Sequence, residues 1–230
     1  MKIERLNSFC SIFWYTFIVK ILAISDNVLP QMESSDYLRR TYAEVDLVIS
    51  CGDMAPPYIE FVASVLNVPL FFVRGNHDTN YGPGFPGGED LHRHAIKYRD
   101  LWFAGLEGSI QYNGGAAQYS DLSMLHMTLA MSAGMLRRRI QRGTGVDVLV
   151  THSPPRGIHD MTDQTHRGFR ALNLAIRWYR PRYLIHGHID TWDRRKTIET
   201  HIGNTIVLNI NPVKLFTVDP LTKKGRPHGS

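Results

Sequence analysis

The sequence predicts an α/β fold. Apolar runs at residues 21–25, 46–51, 69–72, 146–151 and 182–185 have the length of buried strands, and stretches with helical spacing separate them. Each run is followed closely by Asp, Asn or His, at the end where open α/β sheets bind their ligands. The chain has 230 residues, 43% of them apolar and 20% charged, which suits one globular domain with a substantial core.

Residues 21–25 form the first expected strand, which runs into Asp26. Ser34, Ser35 and Asp36 are good helix-start residues, and Leu38, Tyr42 and Val45 follow at helical spacing, so a helix returns the chain to a second strand over 46–51 that ends in Gly52-Asp53. Pro56 and Pro57 open another helix, with Phe61, Val62, Val65 and Leu66 on one face and Asn67 at its end. The third strand, 69–72, then runs into Val73-Arg74-Gly75-Asn76-His77-Asp78. The Gly- and Pro-rich residues 81–88 read as a rim over a site. Two short strands are expected at 95–98 and 101–105. The glycines at 108, 114 and 115 mark a turn that lacks the context and Lys of a phosphate-binding P-loop.

Residues 121–142 read as one long helix capped by Ser120, with its methionines in the core and Arg137, Arg138, Arg139 and Arg142 as a solvated end. A strand then leads to His152, and Pro154 and Pro155 stiffen the turn after it. A helix over 168–179 and a strand over 183–185 follow, the latter presenting His186 to Asp190. Residues 197–200, 205–209 and 214–218 are expected to close the fold as antiparallel strands.

The formal charge of +5 favours anionic partners such as phosphate esters, with nucleic acid the less favoured alternative. Cys10 and Cys51 show no framework spacing, so neither a disulfide scaffold nor a zinc finger is expected, and a reducing, cytoplasmic setting is. Lys2 and Arg5 precede an apolar stretch, but it is too short to span a bilayer, Lys20 interrupts it, and no small-residue cleavage site follows. Residues 1–18 are therefore read as an N-terminal extension, 19–219 as the domain and 220–230 as a basic flexible tail.

Taken in order, these residues resemble a known family, the calcineurin-like metallophosphoesterases, whose motifs run D-x-H, G-D, G-N-H-D, a lone H and G-H-x-H. The resemblance covers residues 19–219 and implies a four-layer α-β-β-α sandwich of two mixed sheets flanked by helices, with a metal site at the carboxyl ends of the strands. Two positions depart from the pattern: Val28 and Asp190 stand where the family has His, both on one metal position. The resemblance assigns Asp26, Asp53 and Asp190 to a first divalent ion and Asp53, Asn76, His152 and His188 to a second. The second set suits manganese, iron or zinc, and the carboxylate-rich first favours manganese or magnesium.

By the same resemblance His77 is the general acid, oriented by Asp78 on its other ring nitrogen, and Arg74 or His186 contacts substrate phosphate. The implied reaction is hydrolysis of small phosphate mono- or diesters by attack of metal-bound hydroxide. A degenerate relative that binds a phosphorylated ligand or one metal without turnover, and a nuclease, are the alternatives. His92, His126, His159, His166 and His201 are read as surface or capping groups. Oligomeric state is not legible.

Overall fold

Strands that are apolar on both faces must be covered on both sides, and this requirement sets the layering. The computed structural model describes residues 18–79, 81–82, 86–190 and 197–220. The expected extension and tail lie outside the described residues, apart from Ile18 and Pro220, as does part of the 81–88 loop.

In chain order the elements are β1 (Val19–Ile24), a 3-10 turn (Pro30–Glu33), α1 (Ser35–Thr41), β2 (Leu47–Ser50), α2 (Pro56–Leu66), β3 (Leu70–Phe72), β4 (Glu89–Asp90), β5 (Ala95–Tyr98), β6 (Leu101–Leu106), β7 (Ser109–Ile110) and β8 (Gln118–Tyr119). There follow α3 (Asp121–Arg142), β9 (Val148–Thr151), α4 (Arg170–Tyr179), β10 (Tyr183–His186), β11 (Glu199–Ile202), β12 (Thr205–Asn209) and β13 (Val213–Val218). One sheet has the order β13-β1-β2-β3-β4 and the other β11-β12-β10-β9-β6-β5, while β7 and β8 pair separately.

Alternation along the strands divides the core into three layers. Ile21, Ala23, Ile49 and Phe71 of the first sheet pack between the sheets against Phe103, Val148, Val150, Ile185 and Leu208 of the second. Phe71 and Phe103 meet edge to face with centroids 5.4 Å apart. The intervening residues Leu22, Ile24, Val48 and Phe72 pack with Leu38, Ile59 and Val62 of α1 and α2. On the far side, Leu106, Leu149, Leu184 and Val207 pack with Met124, Met131, Leu172 and Ile176 of α3 and α4. The result is two mixed sheets flanked by helices.

The caps follow the sequence: the Ser34 and Ser120 hydroxyls accept from the N–H groups of Tyr37 and Ser123, and Asn67 closes α2 in the left-handed conformation. Three expectations need correction. The arginines ending α3 are not a solvated run: Arg138 lies over the Trp102 ring at 4.2 Å, Arg139 donates to the Trp178 carbonyl at 2.8 Å, and Arg142 pairs with Asp147 at 3.1 Å. Only Arg137 of the four is left without such a contact among the described residues. Secondly, β12 is antiparallel to β11 but parallel to β10, because the β11–β12 hairpin turns β12 back alongside β10. Finally, β11 begins at Glu199 and not at residue 197. Among the described residues no helix is long and apolar enough to cross a membrane.

Asp147, buried before β9, accepts the Trp102 N–H at 2.8 Å and faces Arg142 and Arg182. Asp147→Ala leaves these groups unpaired, so a loss of about 3–5 kcal/mol is expected in denaturant unfolding. A loss below about 1 kcal/mol would show that solvent reaches and replaces the pair.

Candidate metal centre

The carboxyl ends of the two sheets meet. β1, β2 and β3 deliver Asp26, Asp53 and Asn76 from one sheet, while β9 and β10 deliver His152 and His188 from the other. One ligand atom from each of Asp53, His152 and His188 lies within 4.8 Å of the others. Asn76 Oδ1 and Asp53 Oδ2 lie 3.0 and 3.4 Å from His152 Nε2.

Two motif glycines permit the close packing here, Gly75 within the first sheet and Gly187 across the two sheets. A Cβ on Gly75 would stand 2.0 Å from Asp53 Oδ1, and one on Gly187 would stand 1.9 Å from Ser25 Oγ and 2.4 Å from Asp26 Oδ2. Asp26, Asp53 and His188 themselves have positive φ, at 63°, 54° and 67°. Asp and His enter this region more readily than other side chains, yet three such residues in one cleft store backbone strain where ligands are aimed.

Backbone carbonyls fix the tautomers of both imidazoles. His152 Nδ1 lies 2.8 Å from the Cys51 carbonyl and His188 Nε2 lies 2.8 Å from that of Thr165. A carbonyl only accepts, so those nitrogens carry the N–H, and in the neutral rings His152 Nε2 and His188 Nδ1 hold the lone pairs. The Asn76 amide donates through Nδ2 to Tyr112 Oη at 3.1 Å, leaving Oδ1 toward the site. Two imidazole nitrogens, an amide oxygen and a carboxylate fit a divalent manganese, iron or zinc ion.

The electrostatics agree with a cation-binding centre. Burial opposes charge on His152, but Asp53 and Asp26 raise its pKa to about 9. Burial likewise opposes charge on Asp53, and His152 still pulls its pKa down to about 2. Burial and the neighbouring His152 charge push His188 down to about 3, so its lone pair is free at neutral pH. Burial raises the Asp26 carboxyl above its usual value against the attraction of His152, while its Oδ2 accepts the His188 N–H at 2.8 Å.

Several sequence assignments are placed differently. Asp78 does not meet the His77 ring: its Oδ2 accepts the N–H groups of Gly75 at 2.7 Å and Asp53 at 2.8 Å, because the turn after β3 curls back over its carboxylate. Arg74 turns away to form two hydrogen bonds, at 2.7 and 2.8 Å, with buried Glu107, which also accepts from Tyr119. His186 is buried, with Nδ1 on the Gly187 carbonyl and Nε2 on His159 Nδ1, both at 2.9 Å, so neither nitrogen is left for phosphate. His159 and His92 are not simple surface groups either: His159 continues that chain to Thr200, and His92 stacks on Tyr119 beside Glu107. Val28, at 43% exposure, is not packed in the core. Asp190 is approached by the amides of Asn27 at 3.4 Å and Asn211 at 3.2 Å. Glu107, which follows β6, was outside the rule used for the ligands, which looked for Asp, Asn or His; Tyr112 and Thr165 carry no local signal.

The profile of the calcineurin-like phosphoesterases matches residues 19–190. The chain belongs to this family. TT1561 of Thermus thermophilus superposes with a TM-score of 0.54 at 13% identity, covering 89% of this chain and all of that one. GAP50, the anchor in the inner membrane complex of Plasmodium, gives 0.50 at 12% identity, over 84% of this chain and 71% of its own. At such identities the likeness shows the fold alone. Searching by sequence finds no significant relative among curated proteins. Calcineurin-like phosphoesterases bind divalent metals, and Asp53, Asn76, His152 and His188 form a donor set that fits one.

A metal requires neutral His152, whereas below about pH 9 the imidazole holds a proton. Manganese affinity, measured by calorimetry on metal-stripped protein, is therefore expected to fall about tenfold per pH unit from 9 to 7, with one proton released per ion. A flat profile with no proton release would show that His152 is already neutral over this range and contradict its raised pKa.

Proposed function

We propose that the protein is a metal-dependent phosphohydrolase acting on small phosphate mono- or diesters. The observation that carries this reading is the convergence of Asp53, His152 and His188 from two sheets, with Asn76 oriented toward the same point. In this reading those four residues hold one divalent ion, and Asp26, Asp53 and Asp190 hold another with hard oxygen donors that favour manganese over zinc. Bound divalent ions cancel charge on the phosphoryl oxygens and lower the pKa of water.

The chain supplies the rest. His77 is exposed, and its backbone N–H donates to Asp53 Oδ1 at 2.8 Å, which fixes the residue beside the ligand set. Its ring makes no hydrogen bond to a described residue and lies near enough to Asp53 to interact with that charge. The ring is therefore available as proton donor to the leaving oxygen, and Asp78 contributes by bracing the backbone of Gly75 and Asp53. Exposure of Val28 means that a His there can be accommodated without overpacking.

A second reading, a protein that binds a single metal without turnover, rests on one observation: the convergent group contains neither Asp26 nor Asp190 among the described residues. Metal-stripped protein reloaded with manganese, zinc or magnesium, then assayed on nitrophenyl phosphate and bis-nitrophenyl phosphate alongside metal analysis, separates the two. Turnover with manganese supports the hydrolase. One bound ion and no turnover of any ester supports the second reading.

His152→Ala is expected to abolish turnover on every ester alike and to lower bound metal; full occupancy in the variant would contradict its assignment. His77→Ala should keep its metal and lose about 10²- to 10⁴-fold in rate on alkyl phosphates, with a much smaller loss on nitrophenyl esters, whose leaving groups need less protonation. Equal losses on both would argue against proton donation.

A further inference from the structure

Asn76 has one productive orientation at the metal centre. With Oδ1 toward His152 Nε2, the Nδ2 protons of this buried amide need an acceptor. Tyr112 Oη provides it at 3.1 Å. Tyr112 is itself clamped: Gln118 Oε1 accepts the N–H groups of Tyr112 and Asn113, each at 3.1 Å, and Gln118 Nε2 donates to Asn113 Oδ1 at 2.6 Å. Gly115 completes the turn, since a Cβ there would lie 2.7 Å from Gln118 Nε2.

The same rim reaches a second ligand. Gln164 Nε2 donates to the Gln111 carbonyl at 3.0 Å, and the next residue, Thr165, supplies the carbonyl that fixes His188. One pair of cross-linked loops thus stands behind both Asn76 and His188.

We propose that Tyr112, held by Gln118, is a positioning residue of the metal centre that keeps Asn76 Oδ1 aimed at the ion. The proposal rests on the reading of Asn76 as a ligand. An amide that donates through its nitrogen is polarised toward a more basic oxygen, and rotation by a half-turn would present N–H donors to a cation. Removing the Tyr112 hydroxyl takes away the acceptor and leaves the ring in place, so a general part of its effect falls on the metal-free protein and the part due to positioning is read in metal affinity.

The test is manganese binding to the metal-stripped full chain by calorimetry, in wild type, Tyr112→Phe, Asn76→Ala and the double variant, with thermal unfolding of each metal-free protein. Tyr112→Phe is expected to weaken binding about tenfold. Its metal-free unfolding midpoint should fall by only about 2–4 °C, and in the Asn76→Ala background the same change should weaken binding no further. Wild-type affinity in Tyr112→Phe, or an undiminished loss when Asn76 is already Ala, overturns the role. Wild-type protein that binds no manganese would instead overturn the metal centre itself, and with it this proposal. If Tyr112→Phe does not fold, Gln118→Ala carries the test: it frees the turn, keeps the hydroxyl and is expected to weaken manganese binding similarly, and unchanged affinity there overturns the clamp.

Discussion

The close approach of the two sheets at their carboxyl ends is the constraint on which the rest of this structure depends. Gly187 against Ser25 and Asp26 leaves no room for a side chain, so the distance between the sheets is set there by backbone, hydroxyl and carboxylate, while Gly75 against Asp53 closes the neighbouring turns of the first sheet in the same way. The carboxylates also act as staples. Asp53 accepts the His77 N–H, Asp26 accepts the His188 N–H, and Asp78 accepts those of Gly75 and Asp53. Three acids thereby organise the turns that carry the ligands, at the energetic cost of gathering negative charge in a partly buried cleft. A cation relieves that cost, which links the fold of the turns to the chemistry they hold.

Much of this was legible in the sequence because the signals are local. The strand-end residues Asp26, Asp53, Asn76, His152 and His188 stand where the apolar runs predict, and α2 opens and closes on Pro56 and Asn67 as expected. The strands β4, β7 and β8 were not legible, since two residues show no period. The partners chosen by Arg74, His186 and Asp78 were not legible for a different reason. Each depends on which of two neighbouring groups the folded backbone brings nearer, and Arg74 and Glu107 are 33 residues apart in the chain. Spacing says that a carboxylate follows a histidine; it does not say which N–H groups will reach it first.

The polar interior beside the site illustrates how ion pairs can be absorbed into a fold. Glu107 is buried, and Arg74, Tyr119 and His92 surround it, joining the end of β6 to the end of β3. The Arg74 pair holds the Glu107 carboxyl below its usual range although burial raises it. Such a pair adds little net stability over an apolar contact but is costly to break by halves, so it fixes the register of the two strand ends and leaves Arg74 unsuited to a moving ligand. The arginines of α3 are spent in the same way, on Trp102, Trp178 and Asp147.

The pairing of β1 with β13 has a consequence for the order in which the molecule is assembled. Among the described residues β1 is the first strand and β13 the last, and they run antiparallel from Val19 beside Val218 to Ile24 beside Val213. Until residue 218 has left the ribosome, one edge of the first sheet stays open, and His188 has joined Asp53 only shortly before. Contacts between such distant parts of a chain form late and slowly. A chain halted before residues 213–218 would therefore hold every proposed ligand but leave β1 unpaired on one side, an open edge for chaperones to shield.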